Sequence, residues 1–171
     1  MARNIEIKAR ANDFKKQLAL GLALSDEGPT ILNQTDTFFR SPQGRLKLRE
    51  FADKDAQLIY YLRPNSSGPA LSEYYITNTS NADELKHTLA QTLGTLAVVK
   101  KTRTLLLAGR TRLHFDEVSD LGEFIELEVV LTDADDVEQA NLEAQHLIDQ
   151  LGISPDDLQK AAYVDLLLLQ Q

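Results

Sequence analysis

Residues 45–49 read Arg-Leu-Lys-Leu-Arg, three cations alternating with two leucines. A period of two marks a strand with one apolar face and one ionisable face. Two other stretches repeat the pattern: Leu113 and Phe115 alternate with Arg112, His114 and Asp116, and Ile125, Leu127 and Val129 alternate with Glu126 and Glu128. In 98–104, Lys101 and Arg103 share one face while Lys100 falls on the other with Thr102. An open sheet whose charged face meets water would satisfy the alternation. Like charges repeated along one face repel, however, unless an anion or a carboxylate lies among them. A closed barrel with the charged face inside and the apolar face turned toward helices answers that repulsion, if there are about eight strands to close it.

Working outward, the chain supplies that number. Asn4 to Arg10 alternates, with Ile5, Ile7 and Ala9 opposite Asn4, Glu6, Lys8 and Arg10. Helical spacing follows from Asp13 to about Leu24, with Asn12 as N-cap and Gly28-Pro29 as the next turn. A strand opens near Ile31 and runs through Phe39, turns at 41–44, and returns as 45–49. Polar turns at 53–55 and 64–69 bound strands at 57–63 and 72–77. Asn81 caps a second helix that Gly94 closes; 96–107 and 110–115 form another hairpin, and 123–131 is the last strand. A long helix spans about 136–151, and Ser154-Pro155 starts a final helix through Leu169. The expectation is an α+β fold, a single domain over 1–171 built on a closed eight-stranded antiparallel β-barrel with flanking helices.

Composition narrows the function. At 171 residues, 43% hydrophobic and 26% charged, the chain has the make-up of a soluble globule. It has no cysteine, which excludes disulfides, thiolate metal sites and cysteine nucleophiles. The start, MARNIEIKAR, offers no apolar signal stretch, and Leu166 to Leu169 is far shorter than a bilayer span, so a cytoplasmic protein without membrane attachment is expected. The leucine run is a buried helix end or a self-association patch. A net charge of −8 has the wrong sign for coating nucleic acid. An anion must therefore be bound by a local cluster drawn from the 18 basic residues. Glu126 and Glu128 project to one side, within reach of one ion, and Glu6 can join them across the sheet; oxygen ligands without cysteine favour Mg2+ or Mn2+ over zinc. Simple pairing of these glutamates with neighbouring Arg and Lys fits the spacing equally well. His87 and His146 read as solvated helix positions, and Val137, Ala140, Ala144, Leu147 and Leu151 as core at helical spacing.

Asn4-Ile5-Glu6-Ile7-Lys8 resembles the E-x-E-x-K opening of the CYTH domain family, the triphosphate tunnel metalloenzymes. Asp36-Thr37-Phe38-Phe39, the 45–49 strand, Lys101 with Arg103, His114-Phe115-Asp116-Glu117-Val118, Leu121-Gly122, Phe124-Ile125-Glu126-Leu127-Glu128 and Tyr163 to Leu167 resemble later family motifs in order. The resemblance implies a tunnel in which Glu6, Glu126 and Glu128 hold a divalent cation, while Lys8, Arg45, Lys47, Arg49, Arg63, Lys101, Arg103 and Arg112 bind phosphate oxygens. It also implies phosphoryl chemistry on an inorganic, thiamine-linked or nucleotide triphosphate, by hydrolysis or by cyclisation of ATP to cyclic AMP; hydrolysis is slightly favoured because water needs no pocket of its own. A polyanion-binding module without catalysis, or a purely structural barrel, is the contrasting expectation. Three positions depart from the pattern: Asn4 replaces the first motif glutamate, and Arg63 and Ala70 stand where some relatives carry lysine.

Overall fold

The fold follows from the alternation. A computed structural model describes residues 1–53, 55–65 and 68–170, so Lys54 in the 53–55 turn and Ser66 and Ser67 in the 64–69 loop lie outside the described residues. Its strands are β1 (Ala2–Arg10), β2 (Glu27–Phe39), β3 (Arg45–Phe51), β4 (Ala56–Leu62), β5 (Ala70–Thr79), β6 (Thr95–Ala108), β7 (Thr111–Val118) and β8 (Gly122–Leu131). The helices are α1 (Phe14–Leu24), α2 (Ala82–Leu93), α3 (Val137–Gln150) and α4 (Tyr163–Leu168). Among the described residues these eight strands close an antiparallel barrel in the order β1-β5-β4-β3-β2-β6-β7-β8.

The barrel is inverted relative to an ordinary core: apolar residues face out and ionisable ones face in. Ile5, Ile7 and Ala9 of β1, Leu113 and Phe115 of β7, and Ile125, Leu127 and Val129 of β8 meet Ala140, Ala144, Leu147, Ile148 and Leu151 around α3. Helix α1 joins this layer through Phe14 and Leu18. It can approach closely because residue 21 is glycine; a Cβ there would lie 2.6 Å from the Phe115 ring. On the opposite wall α2 lays Leu85, Leu89 and Ala90 against Phe39 and Leu48. His87 and His146 are exposed, as their helical spacing predicts.

Several boundaries differ from the sequence reading, each for a local reason. The N-cap of α1 is Asp13, whose carboxylate accepts from Lys16 N at 3.1 Å, because Asn12 is drawn away to Asp157 at 2.7 Å. Asn81 precedes α2, but its side chain donates to Glu84 rather than capping the helix. Gly28-Pro29 does not end the helix–strand turn; β2 already begins at Glu27 and passes through it with a shift in register against β6. The helix expected from Ser154 to Leu169 is broken. Only Pro155–Asp157 forms a 3-10 turn, after which Leu158 bridges Ala9 and Gln159 N donates to Lys8 O at 2.8 Å. Pairing with β1 thus pulls 158–159 out of helical geometry, and α4 starts afresh at Tyr163.

Among the described residues no helix is long and apolar enough to cross a membrane. Leu166, Leu167 and Leu168 pack against the core that closes one barrel end, and Leu169 is exposed.

Candidate functional site

Period-two alternation carries the charged residues into the lumen, where they line a cavity of about 370 Å³. All eleven residues expected at the site reach it: Lys8, Arg45, Lys47, Arg49, Arg63, Lys101, Arg103, Arg112, Glu6, Glu126 and Glu128. The lumen is layered. Phe38, Val99, Phe124, Ala162 and Tyr163 close one end, the charges form a middle belt, and Leu32, Phe51, Ile76 and Leu105 rim the open mouth.

Two buried aspartates organise the cations. Asp36 on β2 sits opposite Arg49 on β3, accepting from Arg49 Nε at 2.7 Å and Arg49 Nη2 at 2.7 Å, and from Lys47 Nζ at 2.7 Å. Asp116 on β7 sits opposite Arg103 on β6, accepting from Arg103 Nε at 2.7 Å and Nη2 at 2.6 Å, Lys101 Nζ at 3.0 Å and the Tyr163 hydroxyl at 3.0 Å. Burial pushes both carboxyls up, but the facing Arg and Lys outweigh it and hold them well below the usual carboxylate range. The repulsion read from residues 45–49 is thus partly met by carboxylates supplied from neighbouring strands. Part remains: burial, with Arg49 and Lys101 nearby, pushes the Lys47 ammonium down to about 7.

Glu126 and Glu128 project from β8 on one face, as their spacing requires. Glu126 takes Lys8 Nζ at 2.8 Å on one oxygen and Arg103 on the other, while Glu128 takes Arg112 Nη1 at 3.1 Å. Between them stands His114, paired with Glu126 in the β7–β8 register. Its Nδ1 is buried without a hydrogen-bond partner, 3.7 Å from Glu126 and 3.8 Å from Glu128. Burial and the Arg103 charge push the imidazole below its ordinary value, which leaves it neutral and able to lend a lone pair. His114, Glu126 and Glu128 can each offer one ligand atom, all within 4.8 Å of one another. An orphaned imidazole nitrogen between two carboxylates fits a divalent cation.

Glu6 lies opposite Glu128 in the β1–β8 register, yet its carboxylate turns to Arg63 Nε at 3.2 Å. Burial, together with Glu126 and Glu128, pushes the Glu6 carboxyl up against the pull of Arg63 and Lys8. Arg63 itself follows the end of β4 and donates to Lys160 O at 3.3 Å, with Nη2 buried and unpartnered. Asn4 is buried opposite Ser72, its Oδ1 also without a partner.

The closed end is held from α4. Lys8 Nζ lies 4.1 Å and Lys101 Nζ 4.9 Å from the centre of the Tyr163 ring. Arg45 Nη2 meets Asp165 at 2.6 Å and Asn65 at 3.0 Å. Beyond α4 an outer hollow of about 830 Å³ shares Arg45 and Arg63 with the lumen.

The sequence profile of the CYTH domain matches residues 2–163. The chain belongs to the CYTH domain family. Solved structures agree with this CYTH fold: the PH1012 protein of Pyrococcus horikoshii superposes with a TM-score of 0.81 at 21% identity, covering 95% of this chain and 98% of its own. A candidate adenylate cyclase from Vibrio parahaemolyticus gives 0.76 at 19%, over 96% and 97%. The candidate adenylyl cyclase HpAC1 from Hippeastrum, a protein with a dominant triphosphatase activity, gives 0.67 at 15%, over 100% and 97%. No curated protein sequence matches the chain significantly.

In this CYTH barrel the residues absent from the expected site are Asp36, His114, Asp116, Tyr163 and Gln34. His114 and Asp116 share the alternating face with Arg112, so the period of two places them in the lumen. Asp36 and Gln34 likewise share the lumen face with Phe38 on β2. Tyr163 opens the motif-like stretch 163–167, but nothing local gives it a place in the lumen, which it reaches through the break before α4.

Proposed function

We propose that this CYTH protein is a divalent-metal-dependent enzyme that acts on a triphosphate held in the lumen, hydrolysing it. The observation that carries the reading is the charge of the belt. Eight cations face six carboxylates, Glu6, Asp36, Asp116, Glu126, Glu128 and the Asp165 that pairs with Arg45, inside a protein whose net charge is −8. Two positive charges are therefore in excess in a confined space. One divalent ion raises the excess to about four, approaching the charge of an ionised triphosphate.

Each residue has a task in this reading. Arg49 and Arg103 are fixed bidentately by Asp36 and Asp116, so their remaining N–H groups are aimed before the anion arrives. Lys8, Lys101 and Arg112 add charge along the chain of phosphates. His114, Glu126 and Glu128 would hold Mg2+ or Mn2+, with the imidazole suiting Mn2+ better. Glu6, freed from Arg63 by an arriving phosphate, stands close enough in register to support the same ion. A cation bound there would neutralise charge on the phosphoryl oxygens during transfer. Lys47, with its ammonium pushed to about 7 in the empty lumen, is recharged by an arriving phosphate and then adds to the cations that hold it. Hydrolysis is favoured because water needs no pocket of its own, and the triphosphatase named for HpAC1 supports it.

Incubation with inorganic triphosphate and Mn2+ or Mg2+, followed by phosphate release, tests the reading. Metal-dependent turnover is expected. Turnover of neither inorganic nor nucleoside triphosphate under any of these conditions would overturn it.

A further inference from the structure

Register and contact disagree at Glu6. Its place on β1 is directly opposite Glu128 on β8, next to the Lys8–Glu126 pair on the same face, so the strand brings its carboxylate to the wall that carries the candidate metal ligands. Among the described residues those ligands nevertheless gather as His114, Glu126 and Glu128 without it. Its neighbours account for this. Lys8, the cation two residues along β1, is taken by Glu126 at 2.8 Å, and Ala70, opposite Glu6 in the β1–β5 register, brings no charge. Arg63 answers Glu6 instead, with its Nε 3.2 Å away.

Arg63 is in turn incompletely satisfied. Its side chain is 2% exposed, and Nη1 donates to Lys160 O at 3.3 Å. Lys160 follows Gln159, whose N donates to Lys8 O, so the guanidinium is anchored to the stretch that leads into α4. Nε and Nη2 are both buried without a hydrogen-bond partner, and the contact with Glu6 is therefore one of charge without hydrogen-bond geometry. Buried donors in that condition cost free energy until an acceptor reaches them. Nε and Nη2 form one edge of a planar fork, an edge suited to two oxygens of a single phosphate. Glu6 leaves that edge open.

Arg63 lines the charged lumen that holds the phosphates in the reading above. We infer that Arg63 is a positioning residue that couples the two ligands: before an anion arrives it holds Glu6 aside from His114, Glu126 and Glu128, and a phosphate that takes its Nε–Nη2 edge releases Glu6 to join them around the cation. Metal binding is then weak without the anion and tight with it, and by reciprocity the cation strengthens anion binding by the same factor. Simple attraction between a metal ion and a nearby phosphate would act on every carboxylate alike, whereas this coupling acts through Glu6. The inference rests on the triphosphate reading and adds to it how the metal site is regulated.

The test follows one substitution, Glu6→Gln, in three settings: the otherwise wild-type protein with Mn2+ alone, the same protein with Mn2+ and imidotriphosphate, whose P–N–P bridges resist hydrolysis, and Arg63→Gln with Mn2+ alone. Titration calorimetry reads the Mn2+ affinity, and a protein-free titration corrects for the ion that the anion itself holds. Glu6→Gln should cost less than about threefold in the first setting and roughly tenfold or more in the other two, within the range by which residues behind a metal site change its affinity. Arg63→Gln by itself should raise the affinity for Mn2+ alone, a gain that damage to the fold does not mimic. If Arg63→Gln fails to fold, the first two settings still decide. An equal cost of Glu6→Gln with and without the anion, or no gain from a folded Arg63→Gln, would overturn the positioning role and leave the triphosphate reading standing. Absence of imidotriphosphate binding to the wild type would overturn both.

Discussion

Asp116→Asn removes one charge and almost no volume from the most enclosed ionic cluster of the barrel. The Asp116 carboxylate is fully buried and accepts four hydrogen bonds: two from Arg103 and one each from Lys101 and Tyr163. An amide keeps the Tyr163 partner, but it cannot accept from all of these donors and brings an N–H against Arg103 or Lys101. Arg103 retains Glu126, whereas Lys101 loses its ion-pair partner at 2% side-chain exposure. Leaving one member of a buried pair uncompensated costs about 3–5 kcal/mol. In a chain of this size that lowers Tm by roughly 6 to 20 °C. Differential scanning calorimetry of both proteins, with and without saturating triphosphate and Mn2+, reads it directly. Ligand should narrow the gap, because a phosphate oxygen supplies the negative charge that Lys101 lacks. A loss under about 1 kcal/mol, or a gap that ligand leaves unchanged, would refute the view that Asp116 is the counter-ion holding these cations for an anion.

Lys47 gives a pH signature. Its folded pKa lies near 7, below the ordinary lysine value of 10.5, so between these limits the unfolded state binds more protons and the contribution to stability rises with pH; it is lost as pH falls through about 7. Bound triphosphate favours the ammonium, so binding at pH 8 should take up protons, detectable by calorimetry in buffers of different ionisation enthalpy, and affinity should weaken as pH climbs above about 7. Lys47→Met should abolish that uptake. In the outer layer, Gly21→Ala drives a methyl to 2.6 Å from Phe115 and should cost roughly 1–3 kcal/mol in urea melts, with metal and triphosphate binding retained.

Much of this site was legible because period-two alternation is local information. Arg45, Lys47 and Arg49, or Glu126 and Glu128, share a face whatever the strands pair with, and repeated like charge made an enclosed lumen the better solution. Partners across strands are not local. Nothing in Asp36-Thr37-Phe38-Phe39 says that Asp36 will clamp Lys47 and Arg49; that follows from the β2–β3 register. The same limit hid His114, which displaces Glu6 as the nearest companion of Glu126 and Glu128 once β7 pairs with β8 and Arg63 draws Glu6 aside. Non-local pairing also explains the missed break before α4, where Leu158 is captured by Ala9 and Tyr163 is thereby delivered to the lumen.

The central claim is that the lumen binds a metal ion and a triphosphate together, and titration calorimetry tests it most directly. Inorganic triphosphate is titrated into the protein with and without Mn2+, and the pair is repeated with Glu126→Gln. One triphosphate per chain should bind, more tightly with Mn2+, and the metal-dependent gain should vanish in Glu126→Gln while metal-free binding persists. Absence of triphosphate binding to the wild type, or a Mn2+ gain that Glu126→Gln leaves intact, would contradict the account.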